Sequence, residues 1–181
     1  QKTAYEIKEC DWSSDVCSSD LVLTTEQALA CGVVGPVARG SGIAYDVRHV
    51  APYAAYPSLE VASRVLPDGD VWSRAMVRLY EARDAVDIVR QALALLPEGP
   101  VNLDDRPDIP PGQAVAKVEA PRGELLYYLK TNEGSSPERV KWRVPTFMNW
   151  DALRFMLAEA KVADIAIVVN SIDPCISCTE R

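Results

Sequence analysis

The chain has 181 residues, 48% hydrophobic and 25% charged, with 19 basic side chains against 26 acidic ones and a net charge of −7. A chain of this length buries roughly 70% of its unfolded surface, so one domain or two small ones fold without disulfide staples. The acidic balance argues against nucleic acid as a partner, since phosphate binding needs clustered Lys and Arg. No run reaches the ~20 apolar residues of a membrane span, and no basic start followed by an apolar stretch marks a signal peptide.

Residues 1–21, QKTAYEIKECDWSSDVCSSDL, differ from the rest: five acids, two lysines, four serines and no apolar periodicity. Taken as protein, this is an acidic disordered tail with two spare thiols, Cys10 and Cys17. The segment also resembles the in-frame translation of a sequencing adapter, with DWSSDVCSSDL as one arm and QKTAYEI as the other. On that reading residues 1–21 are foreign, the native chain starts near Val22 with net charge −4, and sequence upstream has been lost.

Leu23 to Cys31 reads as a short helix, because Thr24 and Gln27 stand at the spacing of a capping box. GVVGPVARGSG follows as a glycine-rich packed loop; it lacks the Lys-Ser/Thr ending of a P-loop and the dinucleotide-binding spacing. YDVRHVAPYAAY is expected to be irregular, with the lone histidine, His49, in a hydrogen-bonded structural role. From Asp70 to Leu96 apolar residues recur at helical spacing, at Trp72, Met76, Leu79, Val86, Val89, Leu93 and Leu96, which predicts a long amphipathic helix capped by Asp70.

A proline-rich loop, EGPVNLDDRPDIPPG, precedes three strand-like runs, AVAKVEA, ELLYYLKT and RVKWRVP, which predict a small antiparallel sheet. NWDALRFMLAEAKV reads as a helix capped by Asn149, and the apolar run at Ile165 to Val169 has the length of a buried strand. The expected class is therefore α+β and helix-rich, a long amphipathic helix packed with a small antiparallel sheet.

Two places can carry chemistry. DPCISCTER closes the chain with Cys175 and Cys178, three positions apart, so both sulfurs can face one point. Three readings stay open from the residues alone. These are half of a metal site, since a structural zinc needs about four ligands; a redox or disulfide pair, although too few residues follow to build the usual helix; and inert thiols. In VEAPRGELL, Pro121 and Gly123 favour a turn that projects Arg122 from a tight corner. Such an arginine either reaches into a cleft toward an anion or stands solvated on the surface.

Taken together, VEAPRGE, RVPTFMN and the terminal NSIDPCISCTER resemble the C-terminal part of a nickel–iron hydrogenase large subunit. GVVGPVARGSGIAYDVRHVAPYAAY is similar to the related quinone-reducing large subunit of respiratory complex I. A chain with both features resembles the energy-converting, complex I-like hydrogenases of the carbon-monoxide- and ferredoxin-linked types, over Leu23 to Arg181.

The resemblance implies a fragment of the large-subunit fold, with Cys175 a terminal thiolate on nickel and Cys178 a thiolate bridging nickel and iron. Asp173 would sit beside the cluster. Arg122 would stand over the open coordination site and bond one cyanide of an iron that carries cyanide and carbonyl ligands. Pro121 would line the pocket and Thr146 would donate to the other cyanide. An iron–sulfur small subunit, membrane subunits of a complex I-like assembly and, indirectly, ferredoxin or a similar carrier are the implied partners, on the cytoplasmic side of the membrane.

The chain departs from the family in having no second Cys-x-x-Cys near an N-terminus, so by itself it is expected to hold no cluster. Arg181 is expected to be either a processed end or a truncation. Two alternatives remain. One is a complex I-type large subunit of NADH-quinone oxidoreductase without nickel, a branch that has normally lost the cysteine pair. The other is a non-catalytic scaffold with a structural pair.

Overall fold

In this computed structural model residues 21–100, 109–133, 136–158 and 160–180 are described. The acidic segment 1–20 and the middle of the proline-rich loop lie outside the described residues.

The first helix, α1 (Thr25–Cys31), forms as its cap predicts: Thr24 Oγ accepts the Gln27 N–H, the Gln27 side chain accepts the Thr24 N–H, and Gly32 ends the helix in the left-handed region. The glycine-rich loop contains one helical turn, α2 (Pro36–Arg39), with all four residues buried. A second turn, α3 (Val47–Val50), is capped by the Asp46 carboxylate, and a 3-10 turn spans Tyr56–Ser58. His49, expected in a structural hydrogen bond, is exposed.

The long helix α4 (Val71–Ala94) starts where Asp70 accepts the Ser73 N–H. Its packing differs from the simple expectation for an amphipathic helix. The buried residues are Val71, Ser73, Arg74 and Val77, near its start, where it meets α2 and a later helix. The apolar stripe read from the sequence points outward. Arg74 is fully buried, with Nε donating to Ser171 Oγ at 2.8 Å and Nη1 to the Gly69 carbonyl at 2.6 Å. Burial lowers its pKa to about 10.

The three predicted strands are β1 (Gly112–Ala120), β2 (Gly123–Thr131) and β3 (Pro137–Arg143), antiparallel in the order β1-β2-β3. Ala120 pairs with Gly123 across the first corner, Glu119 with Glu124 and Leu126 with Arg143, while a register shift at Lys130 and Thr131 ends the second pairing.

Two expectations need correction. The helix expected from Asn149 onward is broken into α5 (Pro145–Trp150) and α6 (Leu153–Met156), and Asn149 lies inside α5 instead of capping a helix. Its buried amide accepts the Val34 N–H at 2.9 Å and donates to the Val34 carbonyl at 3.3 Å, a tertiary bond that competes with a local cap. The run expected as a buried strand is helix α7 (Ile165–Ser171). Val168 and Ser171 are its buried positions, three apart on one helical face, and the flanking Asp164 and Ile172 are buried as well. That core gathers Leu21, Leu23, Ala28, Val37, Met156 and Val168 among others. The last element is the turn α8 (Ile176–Thr179).

Candidate metal-ligand site

After α7 the chain reverses at Asp173, a non-glycine residue with φ of 52°, and runs through Pro174 into Cys175, the cap of α8. Left-handed backbone at an aspartate is uncommon and is held here by its partners. Arg122 Nε donates to the Asp173 carbonyl at 2.7 Å and Nη2 donates to its carboxylate at 3.1 Å. One guanidinium thus grips both the backbone and the side chain of the reversal.

The corner that carries Arg122 is positioned by glycines. Gly35 has φ of 67° and Gly123 φ of 128°, and the two backbones approach so closely that a Cβ on either would overlap the other segment. The glycine-rich loop therefore serves as the seat of the β1–β2 corner. Asn149, bonded to Val34 next door, joins α5 to the same seat.

From α5, the buried Thr146 accepts the Cys175 N–H at Oγ1, 3.3 Å away. The Cys175 carbonyl accepts from the Cys178 N–H and from the N–H and hydroxyl of Thr179, and the Trp150 indole N–H donates to that hydroxyl. Neither cysteine is in a disulfide, and both are half-buried. Cys175 Sγ stands 3.1 Å from Ser177 Oγ. The Ser177 hydroxyl, then the Cys178 N–H and thiol, with the Arg122 charge as a smaller contributor, bring the Cys175 thiol down to about 7.

Of the residues singled out from the sequence, the fold brings Arg122 to Asp173, Thr146 to Cys175, and Cys175 and Cys178 onto one turn. Pro121 is exposed and shares with Asp173 the lining of a cavity of about 380 Å³. Two thiols on one turn, one with a lowered pKa, form a donor set suited to a thiophilic metal. Among the described residues no cluster of three or more His, Cys, Asp or Glu could hold a metal ion.

Sequence reasoning missed the charged group behind this turn. Arg39, 1% exposed, donates to Glu81, to Glu119 at 3.0 Å and to the Tyr45 carbonyl, and lies 3.7 Å from Asp46. Glu119 also accepts the Val47 N–H and donates its own backbone N–H to Tyr53. Burial raises the Glu119 pKa despite Arg39, whereas the Arg48 contacts outweigh burial and lower that of Asp46. The available signal was an arginine in an apolar run, PVARG, which needs carboxylates if buried.

Comparisons with known proteins show what the chain is similar to. The family described as "Respiratory-chain NADH dehydrogenase, 49 Kd subunit" matches residues 19–109 and 104–181. The chain is 59% identical over 160 residues to the carbon monoxide-induced hydrogenase of Rhodospirillum rubrum, covering 88% of this chain and 44% of that protein. It is 40% identical over 158 residues to the second D-type subunit of NADH-quinone oxidoreductase from Herpetosiphon aurantiacus, covering 84% and 43%. Among solved structures, the membrane-bound sulfane sulfur reductase, an archaeal respiratory membrane complex, superposes with a TM-score of 0.84 at 33% identity over 99% of this chain and 49% of that one. The chain thus spans somewhat under half the length of the curated relatives it matches. It belongs to the family of the 49 kDa subunit of respiratory-chain NADH dehydrogenase, which takes in complex I-like hydrogenase relatives.

Proposed function

We propose that this chain is the C-terminal part of the large subunit of a membrane-associated, energy-converting nickel–iron hydrogenase. Its reaction would be heterolytic dihydrogen cleavage or proton reduction, coupled to iron–sulfur electron transfer and ion translocation. The observation that carries the reading is the Cys175–Cys178 turn, tied by Arg122 and Thr146 in a chain 59% identical to a hydrogenase. Cys175 and Cys178 would hold the nickel–iron centre together with two further thiolates from the unmatched part of the protein. When bound, that centre supplies a Lewis acid for splitting dihydrogen.

The chain's own residues have definite tasks. Ser177 and the Cys178 N–H favour the Cys175 thiolate near neutral pH, the form that ligates metal and that can later accept a proton. Thr146 uses an oxygen lone pair to fix the Cys175 N–H and keeps its hydroxyl hydrogen to donate elsewhere. Arg122 is held in orientation by Asp173, presenting a fixed positive charge beside the turn, a preorganised electrostatic partner. An iron–sulfur small subunit, membrane subunits and a ferredoxin-like carrier would complete the assembly on the cytoplasmic face.

Dihydrogen–deuterium exchange by membranes holding the complete complex tests this. Exchange is expected, with near-complete loss in Cys175→Ser and a large loss in Arg122→Lys, which keeps charge but not the forked geometry. Wild-type membranes with the complex assembled and no exchange would sink the reading. The NADH-quinone oxidoreductase relatives favour a second one, a nickel-free quinone-reducing subunit. In that case quinone reduction persists in Cys175→Ser.

A further inference from the structure

Little of the terminal turn α8 is buried: Ile176 is 77% exposed, and Ser177 and Thr179 are exposed as well. A single helical turn has almost no stability of its own, and Cys175 at its start makes no side-chain capping bond. Hydrogen bonds from neighbouring elements therefore decide where the turn sits. Helix α5 supplies them from two residues, Thr146 and Trp150, which lie four positions apart and so one above the other on a single face.

This one helix holds Cys175 at both of its backbone groups. The Cys175 N–H donates to Thr146 Oγ1 at 3.3 Å. Its carbonyl accepts the Thr179 hydroxyl at 3.0 Å, and the oxygen of that hydroxyl accepts the Trp150 indole N–H, also at 3.0 Å. A hydroxyl has one hydrogen to give and lone pairs to receive, so both bonds form together and polarise one another. The same carbonyl takes the Cys178 and Thr179 N–H groups at 3.1 Å each. The relay from Trp150 thus closes on the acceptor around which the turn between the two thiols is wound. The indole is a firm anchor, because its ring packs against the core cluster while its N–H points out to the turn.

We propose that Trp150, acting through the Thr179 hydroxyl, is a positioning residue that sets the Cys178 thiol relative to Cys175. The inference rests on reading both thiols as metal ligands. Arg122, through Asp173, and Thr146 hold the turn on its upstream side. The Trp150–Thr179 relay is a hold from α5 on its downstream side. Two side chains serve one metal well only when their geometry is kept to within ~0.5 Å. Groups that orient ligands from outside typically change metal affinity ~10–100-fold when they are lost. An indole that merely satisfied its own N–H would accept water in place of Thr179, and removal of that hydroxyl would leave the turn as it was.

Hydrogen exchange and nickel retention in the full-length protein test the proposal. Trp150→Phe removes the donor and keeps an aromatic ring, Thr179→Val removes the hydroxyl at nearly constant volume, and Thr179→Ser keeps it. In full-length protein stripped by chelator, amide exchange in the peptide holding Cys178 and Thr179 should quicken several-fold in Trp150→Phe and Thr179→Val. It should stay near wild type in Thr179→Ser, and the α1 peptide should not change in any of the three. In the assembled complex, nickel should be lost to chelator ~10-fold faster in the first two variants only. Unchanged exchange in both of those variants would overturn the proposal, as would Thr179→Ser behaving like Thr179→Val. Unaltered retention in a nickel-bearing complex would overturn the positioning role alone, whereas a wild-type complex without nickel would overturn the hydrogenase reading along with it.

Discussion

The Cys175 sulfur is set up by small neighbours more than by its net surroundings. Ser177 contributes most to the lowered thiol pKa, ahead of the Cys178 N–H and thiol. In metal-free protein, Ser177→Ala should move the midpoint of Cys175 alkylation from about 7 toward the ~8.5 of a free cysteine. Alkylation rates followed by peptide mass spectrometry across pH 6 to ~10 read this out, and an unmoved midpoint would show that the serine contact is idle. Tyr45 offers a second single-residue test. Its hydroxyl donates to Glu124, which raises the phenol to about 12. A raised folded-state pKa contributes stability that is intact below the unfolded value, about 10, and is lost as pH climbs through 12. Tyr45→Phe should therefore flatten the fall of stability between those values, and denaturation curves at stepped alkaline pH check it.

At the level of elements, the hairpin corner depends on its glycine seat. Gly35→Ala places a Cβ into the Arg122–Gly123 backbone and puts alanine at φ of 67°; more than ~1 kcal/mol of stability should be lost. Asn149→Ala leaves the buried Val34 N–H and carbonyl without their partner and should cost about 1–3 kcal/mol. Urea denaturation measures both, and a neutral Asn149→Ala would mean that water replaces the amide. These positions also mark what sequence could and could not show. The Thr24–Gln27 box, the Asp70 cap and the three strands are local signals, and they form as read. Asn149 looked like a cap because caps are local, while its bond to Val34 crosses 115 positions. Ile165 to Val169 looked like a strand because a short apolar run has a buried strand's length, but periodicity cannot tell such a run from a buried helix, and what it packs against makes it α7. Arg39 and its carboxylates are gathered from four separate segments, which no spacing announces. Arg122 and the cysteines stood out from their turn and spacing with several readings open, whereas Asp173 and Thr146 were singled out by family likeness alone.

Across the whole molecule, one buried guanidinium ties the halves together. Arg39 links α2 to Glu81 on α4 and Glu119 on β1. Arg39→Met would strand buried carboxylates and should cost about 3–5 kcal/mol, visible as a large drop in the denaturation midpoint. Elemental analysis of the full-length protein purified in its complex tests the central claim most directly. Nickel should be present at one per large subunit and disappear in Cys175→Ser while the complex stays assembled. An assembled wild-type complex carrying iron–sulfur iron but no nickel would contradict the account and leave the quinone-type reading in its place.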